Sequence, residues 1–224
     1  MDNMNQLRDL LKHEINDLYS AEEQIIEALP AMIGKAKDRK LKKALQDHLK
    51  VTEFQKQRLD EVLLKLEDGS GSGKKGLFSG LFSSKKCKGM QGLIAEGEKI
   101  MREDMSPDVM DAAIVAGAQK IEHYEISAYG TARAYAEELR LNEVEKLLKQ
   151  TLDEEYEADD LLSELAVSRL NREAMPGAAR KTNSRGNSSS QQRKTTGRTA
   201  KKTASKTAKK KNSKRSSARK KTVA

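Results

Sequence analysis

The stretch "QKIEHYEISAYG", Gln119 to Gly130, decides how this chain is read. Its apolar and small residues recur at helical spacing, yet Glu122, His123 and Glu125 stand where a buried helix face would carry Leu or Ala. At about 100° per residue, with Glu122 set at zero, Val115 falls near +20°, Ile126 near +40°, Tyr129 near −20° and Ala118 near −40°. Glu122 is therefore central on the apolar face. Gln119 lies within that face, Glu125 at its edge at roughly −60°, and His123 outside it at roughly +100°.

Working outward, four long segments carry helical periodicity. The first runs from about Asn3 to Gly34, with Pro30 expected to kink or end it. The second runs from about Asp38 to Glu67 after a very short turn. The third starts at Ser106-Pro107-Asp108, where Ser caps and Pro takes the first helical position, and reaches about Arg140. The fourth covers about Asn142 to Asn171. Short turns make each pair an antiparallel hairpin, and two such hairpins joined by a long connection form an all-α four-helix bundle. The connection "DGSGSGKKGLFSGLFSSKKCKG" reads as a loop, followed by a shorter helix from Met90 to about Asp104. Within it, the apolar residues of Gly76 to Phe82 are expected to pack back on the body or on a partner subunit, with contact to a membrane surface as the alternative.

Each long helix carries polar residues inside its buried stripe. Glu22 is flanked by Ile15, Leu18, Ile26 and Leu29. His48 and Thr52 lie one turn apart with Gln55 alongside, between Leu41, Leu45, Leu59 and Leu63. Glu155 shares its face with Leu148, Thr151, Leu162 and Ala166, and Asp159 is one turn on. Folding each hairpin at its turn puts Glu22 level with His48 and Thr52, and Glu122 level with Asp159. Glu22, His48, Glu122, Glu155 and Asp159 are thereby expected to meet. Burying one unpaired carboxylate costs several kcal/mol, roughly, and several together repel one another. They need protons, water, cations or a metal. Oxygen ligands with one imidazole suit iron or manganese better than a structural zinc. The alternative is a water-filled polar layer, completed by Gln119 and Thr52, that fixes the register of the bundle. Thr52, Gln55, Gln119, Glu125 and His123 are the residues placed to support the cluster, His123 from its boundary.

The 43 Lys and Arg and 34 Asp and Glu give a net charge of +9, which conceals two opposite halves. Seventeen of the basic residues and none of the acids follow Pro176, leaving 26 bases against 34 acids and a net −8 in residues 1–176. The expected organisation is a helical body over 1–173 and a disordered Lys/Arg/Ser/Thr/Ala-rich tail over 174–224. The single Cys87 excludes an intrachain disulfide and fits a reducing compartment. The first residues lack the apolar core of a secretory signal, and no run approaches the length of a membrane span. A cytoplasmic location is expected.

The segments "DLYSAEEQ" at 17–24, "HLKVTEFQKQRL" at 48–59, "CKGMQGLIAEG" at 87–97, "AQKIEHYEISAYGTA" at 118–132 and "LLKQTLDEEYEADDLL" at 147–162 resemble the YciF-like family of ferritin-like bacterial stress proteins. The resemblance implies a ferritin-like bundle, usually a homodimer, with a di-iron-type centre and a role in stress. In such carboxylate proteins the first and third long helices each give a Glu, and the other two each give Glu-x-x-His. Glu22 and Glu122 match the lone-Glu positions. The fourth helix departs with Glu155 and Asp159, and the second departs with His48, Thr52 and Gln55, Glu53 lying about 100° off Thr52. Iron in a mono- or dinuclear site, or manganese, therefore all remain open. Ferroxidase or peroxide-consuming chemistry would depend on the bridging Glu that the second helix lacks.

The tail repeats Lys-Lys-Thr-Ala and Ser-Lys-Thr-Ala-Lys-Lys units and resembles the tails of linker histones and of some bacterial nucleoid proteins. Its clustered Lys201, Lys202, Lys206, Lys209, Lys210, Lys211, Lys214, Arg215, Arg219, Lys220 and Lys221 suit a phosphate backbone, giving salt-sensitive and sequence-independent affinity. No aromatic residue follows Tyr156, so the tail offers no base stacking. DNA, and hence association with the nucleoid, is the expected use; another polyanion, anionic lipid or simple solubilisation are the alternatives. Two functions stand side by side. One is a stress-associated metal protein held on DNA; the other is a nonenzymatic nucleoid-binding or scaffold protein whose polar layer is structural.

Overall fold

The computed structural model describes residues 4–68 and 86–177. All of them belong to the unit Met1–Asn183; a second unit, Ser184–Ala224, lies outside them. The expectations for Gly76 to Phe82 and for the basic tail also fall outside the described residues.

Helix α1 spans Leu7–Lys35, α2 Arg39–Asp68, α3 Lys88–Ile100, α4 Pro107–Glu138 and α5 Asn142–Leu165. A π-helical turn, Ala166–Leu170, continues α5 into a last short helix, α6, at Asn171–Glu173. α1 begins later than its periodicity suggested because the Asp9 carboxylate accepts the N–H groups of Asn5 and Gln6, both at 3.2 Å, and caps the helix there. Pro30 does not end α1, which runs on to Lys35. It stands on the exposed face, where the carbonyl it leaves unpaired can turn to water.

α1 and α2 form one hairpin and α4 and α5 the other; α1 packs on α4 and α2 on α5, closing a four-helix ring. α3 lies against α1 and α4. The α1–α2 turn is pinned from across the bundle: Asp111 of α4 accepts the backbone N–H of Lys37 at 2.7 Å and of Asp38 at 2.8 Å. Asp38 in turn accepts the N–H groups of Lys40 and Leu41, capping α2, and pairs with Arg169 of the π-turn at 2.7 Å.

α3 is fastened at its first turn. Cys87, 1% exposed, caps α3 through Sγ, accepting from Met90 N, while its own N–H reaches Ser20 Oγ at 3.0 Å and its carbonyl accepts from Gln24 Nε2 at 3.2 Å. Its thiol also donates to Asp17 and lies 2.9 Å from the Tyr124 hydroxyl. Burial pushes this thiol above its ordinary pKa, so Cys87 behaves as a packed, hydrogen-bonded group. Gly89 completes the joint, because a Cβ there would stand 2.9 Å from the Tyr124 ring.

The apolar core is in two parts. One cluster, at the α1–α2 turn end, includes Ile25, Leu29, Leu41, Leu45, Ile114 and Leu162. The other, toward the α4–α5 turn, includes Leu11, Leu18, Leu59, Tyr129, Ala136 and Leu148. Among the described residues no helix is long and apolar enough to cross a membrane.

The Asp111→Ala variant tests the cross-bundle pin. Removing a carboxylate that holds two otherwise unpaired backbone N–H groups should cost about 2–3 kcal/mol in urea unfolding, with the helical signal of the native state unchanged.

Candidate metal centre

The gap between the two apolar clusters is filled by polar side chains. α1 supplies Glu22; α2 supplies His48, Thr52 and Gln55; α4 supplies Glu122 and Glu125; α5 supplies Thr151 and Glu155. Glu22 and Glu155 are 0% exposed, and Glu122 and Glu125 nearly so. The His48 side chain is 11% exposed, with Nε2 3.4 Å from Glu122 Oε1.

One ligand atom from each of His48, Glu122, Glu125 and Glu155 lies within 4.8 Å of the other three. Buried atoms of the same residues lack hydrogen-bond partners: His48 Nε2, Glu122 Oε2, Glu125 Oε1 and Glu155 Oε2. Glu22 Oε2 and Gln55 Oε1 are similarly unpaired. Six such atoms in one layer are costly unless something occupies the space among them. Two opposed ligands on one small cation stand about 4.2 Å apart, twice a metal–oxygen distance of about 2.1 Å. The four residues therefore fit a divalent ion after a small inward adjustment. Three carboxylates and one imidazole are a donor set suited to iron or manganese.

The electrostatics of the metal-free layer agree. Burial first, then Glu155, holds the carboxyls of Glu22, Glu122 and Glu125 well above the ordinary range. Burial also raises Glu155, to about 7, against hydrogen bonds from Glu122 and Gln55 that favour its charged form. Burial lowers His48 to about 4, so its imidazole is neutral and ready to ligate near pH 7. Tyr129, also buried, donates to Glu22 Oε1 and is itself raised by burial and by Glu22.

Of the residues singled out in the sequence, His48, Glu122 and Glu155 come together as the central group. Glu22 shares the layer but falls outside the group of four, with one oxygen held by Tyr129. Asp159 also falls outside it: Oδ1 accepts from Gln119 Nε2 at 3.0 Å and Oδ2 faces His123 Nε2 at 3.2 Å. Gln119 also donates to Ser163 Oγ at 2.9 Å. His123 is exposed, at the boundary where its angle put it. Thr52 spends its hydroxyl on the His48 carbonyl of its own helix. Gln55 donates to Glu155 Oε1 at 2.5 Å.

Glu125, assigned by angle to a supporting position, joins the central group instead. The reason is that α4 packs against α1, α3 and α5, so its buried arc is wider than a two-sided helix would have. Glu122 and Glu125, three apart on such a helix, face the same interior. Arg58 was also missed. It is 12% exposed at its side chain, forks onto Glu154 at 2.9 and 3.0 Å and reaches Thr151 Oγ1 at 2.5 Å. The signal was its place one turn beyond Gln55 beside the stripe.

The raised pKa of Glu155 makes a signed prediction for the metal-free protein. Its folded form prefers the proton, so stability is fully present below the unfolded value of 4.5 and is lost as pH rises to about 7. Glu155→Gln should therefore match the parent near pH 4 and exceed it by about 3 kcal/mol at pH 8, since each tenfold difference in proton affinity is worth about 1.4 kcal/mol. Urea unfolding with chelator at both pH values measures this; a gap that does not widen with pH would refute it.

Residues 6–175 match the protein family described as a domain of unknown function, DUF892. Protein YciF of Escherichia coli K12 is 38% identical over 172 residues, which cover 77% of this chain and 97% of that protein. The crystal structure of that E. coli stress protein aligns with a TM-score of 0.67 at 37% identity, covering 75% of this chain and 99% of the other. A Rhodopseudomonas palustris protein named YcfI aligns at 0.63 and 40% identity, covering 72% and 95%. A Xanthomonas campestris protein at 20% identity and a TM-score of 0.53, covering 76% and 100%, shares the fold. With the match spanning the entire helical bundle, this chain belongs to the DUF892 family, the family of YciF-like stress proteins.

Proposed function

We propose that this protein is a stress-associated metal-binding bundle, held on DNA by its basic tail. The observation that carries the first half is the convergence on one space of four ligand residues, each of which also holds a buried atom without a hydrogen-bond partner. His48, Glu122, Glu125 and Glu155 would hold an iron or manganese ion, and Glu22, with its free Oε2, is placed to serve a second. When bound, iron would supply a centre that dioxygen or peroxide can oxidise. The chain's own residues orient and shield it. Tyr129 fixes Glu22, Gln55 fixes Glu155, and the two apolar clusters keep bulk water out on either side.

The test is metal content by mass spectrometry on tag-free protein loaded anaerobically with Fe(II), and in parallel with Mn(II). About one to two ions per chain are expected, and Glu122→Gln should weaken binding by about tenfold or more with the helical signal retained. The competing reading, a structural polar layer, is favoured by the Tyr129–Glu22 and Gln55–Glu155 hydrogen bonds. It predicts no stoichiometric metal in either protein.

The second half rests on charge: seventeen bases and no acids after Pro176, against a net −8 before it. The acidic body repels a polyanion, so retention on DNA should reside in the tail. Full-length protein should bind duplex DNA of any sequence and lose most of that affinity between about 50 and 200 mM salt. Protein ending at Pro176 should not be retained; retention by that truncation would remove the tail from the proposal.

A further inference from the structure

The carboxylates of Glu122, Glu125 and Glu155 are buried and only the His48 side chain, 11% exposed, touches solvent, so an ion can reach the carboxylates only where side chains give way. One surface groove is joined to the layer by a chain of hydrogen bonds. On the α2–α5 face an open groove of about 510 Å³ is lined by Val51, Phe54, Gln57, Arg58, Gln150 and Glu154 among others. At its edge Arg58 forks onto Glu154. Behind that ion pair sits Gln55, 1% exposed, whose Nε2 lies 3.2 Å from Glu154 Oε2 and 2.5 Å from Glu155 Oε1. A single amide thus spans from the carboxylate of the groove to the carboxylate of the buried group. Its own Oε1 is buried and unpartnered, as is Glu155 Oε2 beside it.

From this arrangement we infer that the groove is the mouth through which a divalent cation enters and leaves the bundle, with Glu154 as its first protein ligand and Arg58–Gln55 as the gate. This rests on the metal-binding reading of the buried layer. Arg58 already does for Glu154 what an incoming ion would do: it supplies positive charge to a half-buried carboxylate. Exchange of the guanidinium for a hydrated cation keeps that carboxylate neutralised throughout. Arg58 then swings into the groove on its long side chain, and rotation of the Gln55 amide hands the ion from Glu154 to Glu155. Gln55 can turn either its orphaned carbonyl or its N–H₂ inward, so it meets an ion in one orientation and an unloaded carboxylate in the other. No helix needs to move.

The experiment is stopped-flow uptake of Fe(II) or Mn(II) by the full-length chain, alongside equilibrium metal content and thermal melting. In Glu154→Gln, an isosteric change at a partly exposed position, uptake should slow on the order of tenfold while the final stoichiometry is unchanged, since the groove loses its first ligand and is left with an uncompensated guanidinium that repels cations. Arg58→Gln, which removes the gate cation, should load faster than the parent. Asp159→Asn, which alters the carboxylate beside His123 on the other side of α5, should leave the rate within about twofold. Unchanged uptake in Glu154→Gln would overturn the assignment, and slowing confined to Asp159→Asn would in addition place the mouth between α4 and α5. If the parent takes up no metal at equilibrium, the metal reading of the layer fails, and that result is distinct from a rate unaffected by Glu154.

Discussion

Everything in this bundle is arranged around the repulsion among carboxylates packed in one water-poor layer. Glu22, Glu122, Glu125 and Glu155 cannot all be charged at once without a compensating cation, and their raised pKa values express that fact. A layer of this kind works against folding in the metal-free protein. It is sustained because the apolar clusters on either side bury enough Leu, Ile and Val to carry it, and because each helix contributes a polar residue at the same depth. A helix shifted by one residue would drive an apolar side chain into the layer and a carboxylate into the apolar packing. The layer therefore fixes register as well as offering ligands, whatever fills it.

The surroundings supply positive charge sparingly. Arg58 acts on Glu22 and Glu155 through space but spends its hydrogen bonds on Glu154 and Thr151. The neutral donors Tyr129 and Gln55 each take one oxygen of a carboxylate and leave the other free. That division orients the acids without cancelling them. A salt bridge in the same place would have filled the space with a fixed cation and removed the reason for an exchangeable one.

The architecture was legible because it follows from periodicity. Four apolar stripes, two very short turns and one long Gly/Ser-rich connection leave little choice of topology, and Glu22, His48, Glu122 and Glu155 lay near enough to the stripe centres for their inward direction to be read by angle. What could not be read depends on neighbours. The edge position of Glu125 became interior because a third helix covers that side of α4. Asp159 lies at the right depth, yet Gln119 and His123 take its oxygens. Arg58 looks like one more exposed base until Glu154 and Thr151 are brought to it. The cap at Asp9, the exposed face under Pro30 and the π-turn after Leu165 likewise depend on contacts or backbone detail that local propensity does not encode.

The π-turn at Ala166–Leu170 has a bearing on how such bundles diverge. In a regular helix one inserted residue rotates everything beyond it by about 100°, but a π-turn absorbs the extra residue in a single wide loop of backbone and lets the flanking segments keep their faces. Here it allows Leu162 and Leu165 before the turn and Leu170 within it all to face the core, while Arg169 still reaches Asp38 at the opposite hairpin. The end of the fourth long helix is thus a place where the lineage can gain or lose a single codon without disturbing the layer that begins at Glu155. Length variation among relatives should collect there, downstream of the carboxylates, and be purged from the stretch between Thr151 and Asp159, where the same event would turn an acid away from its partners.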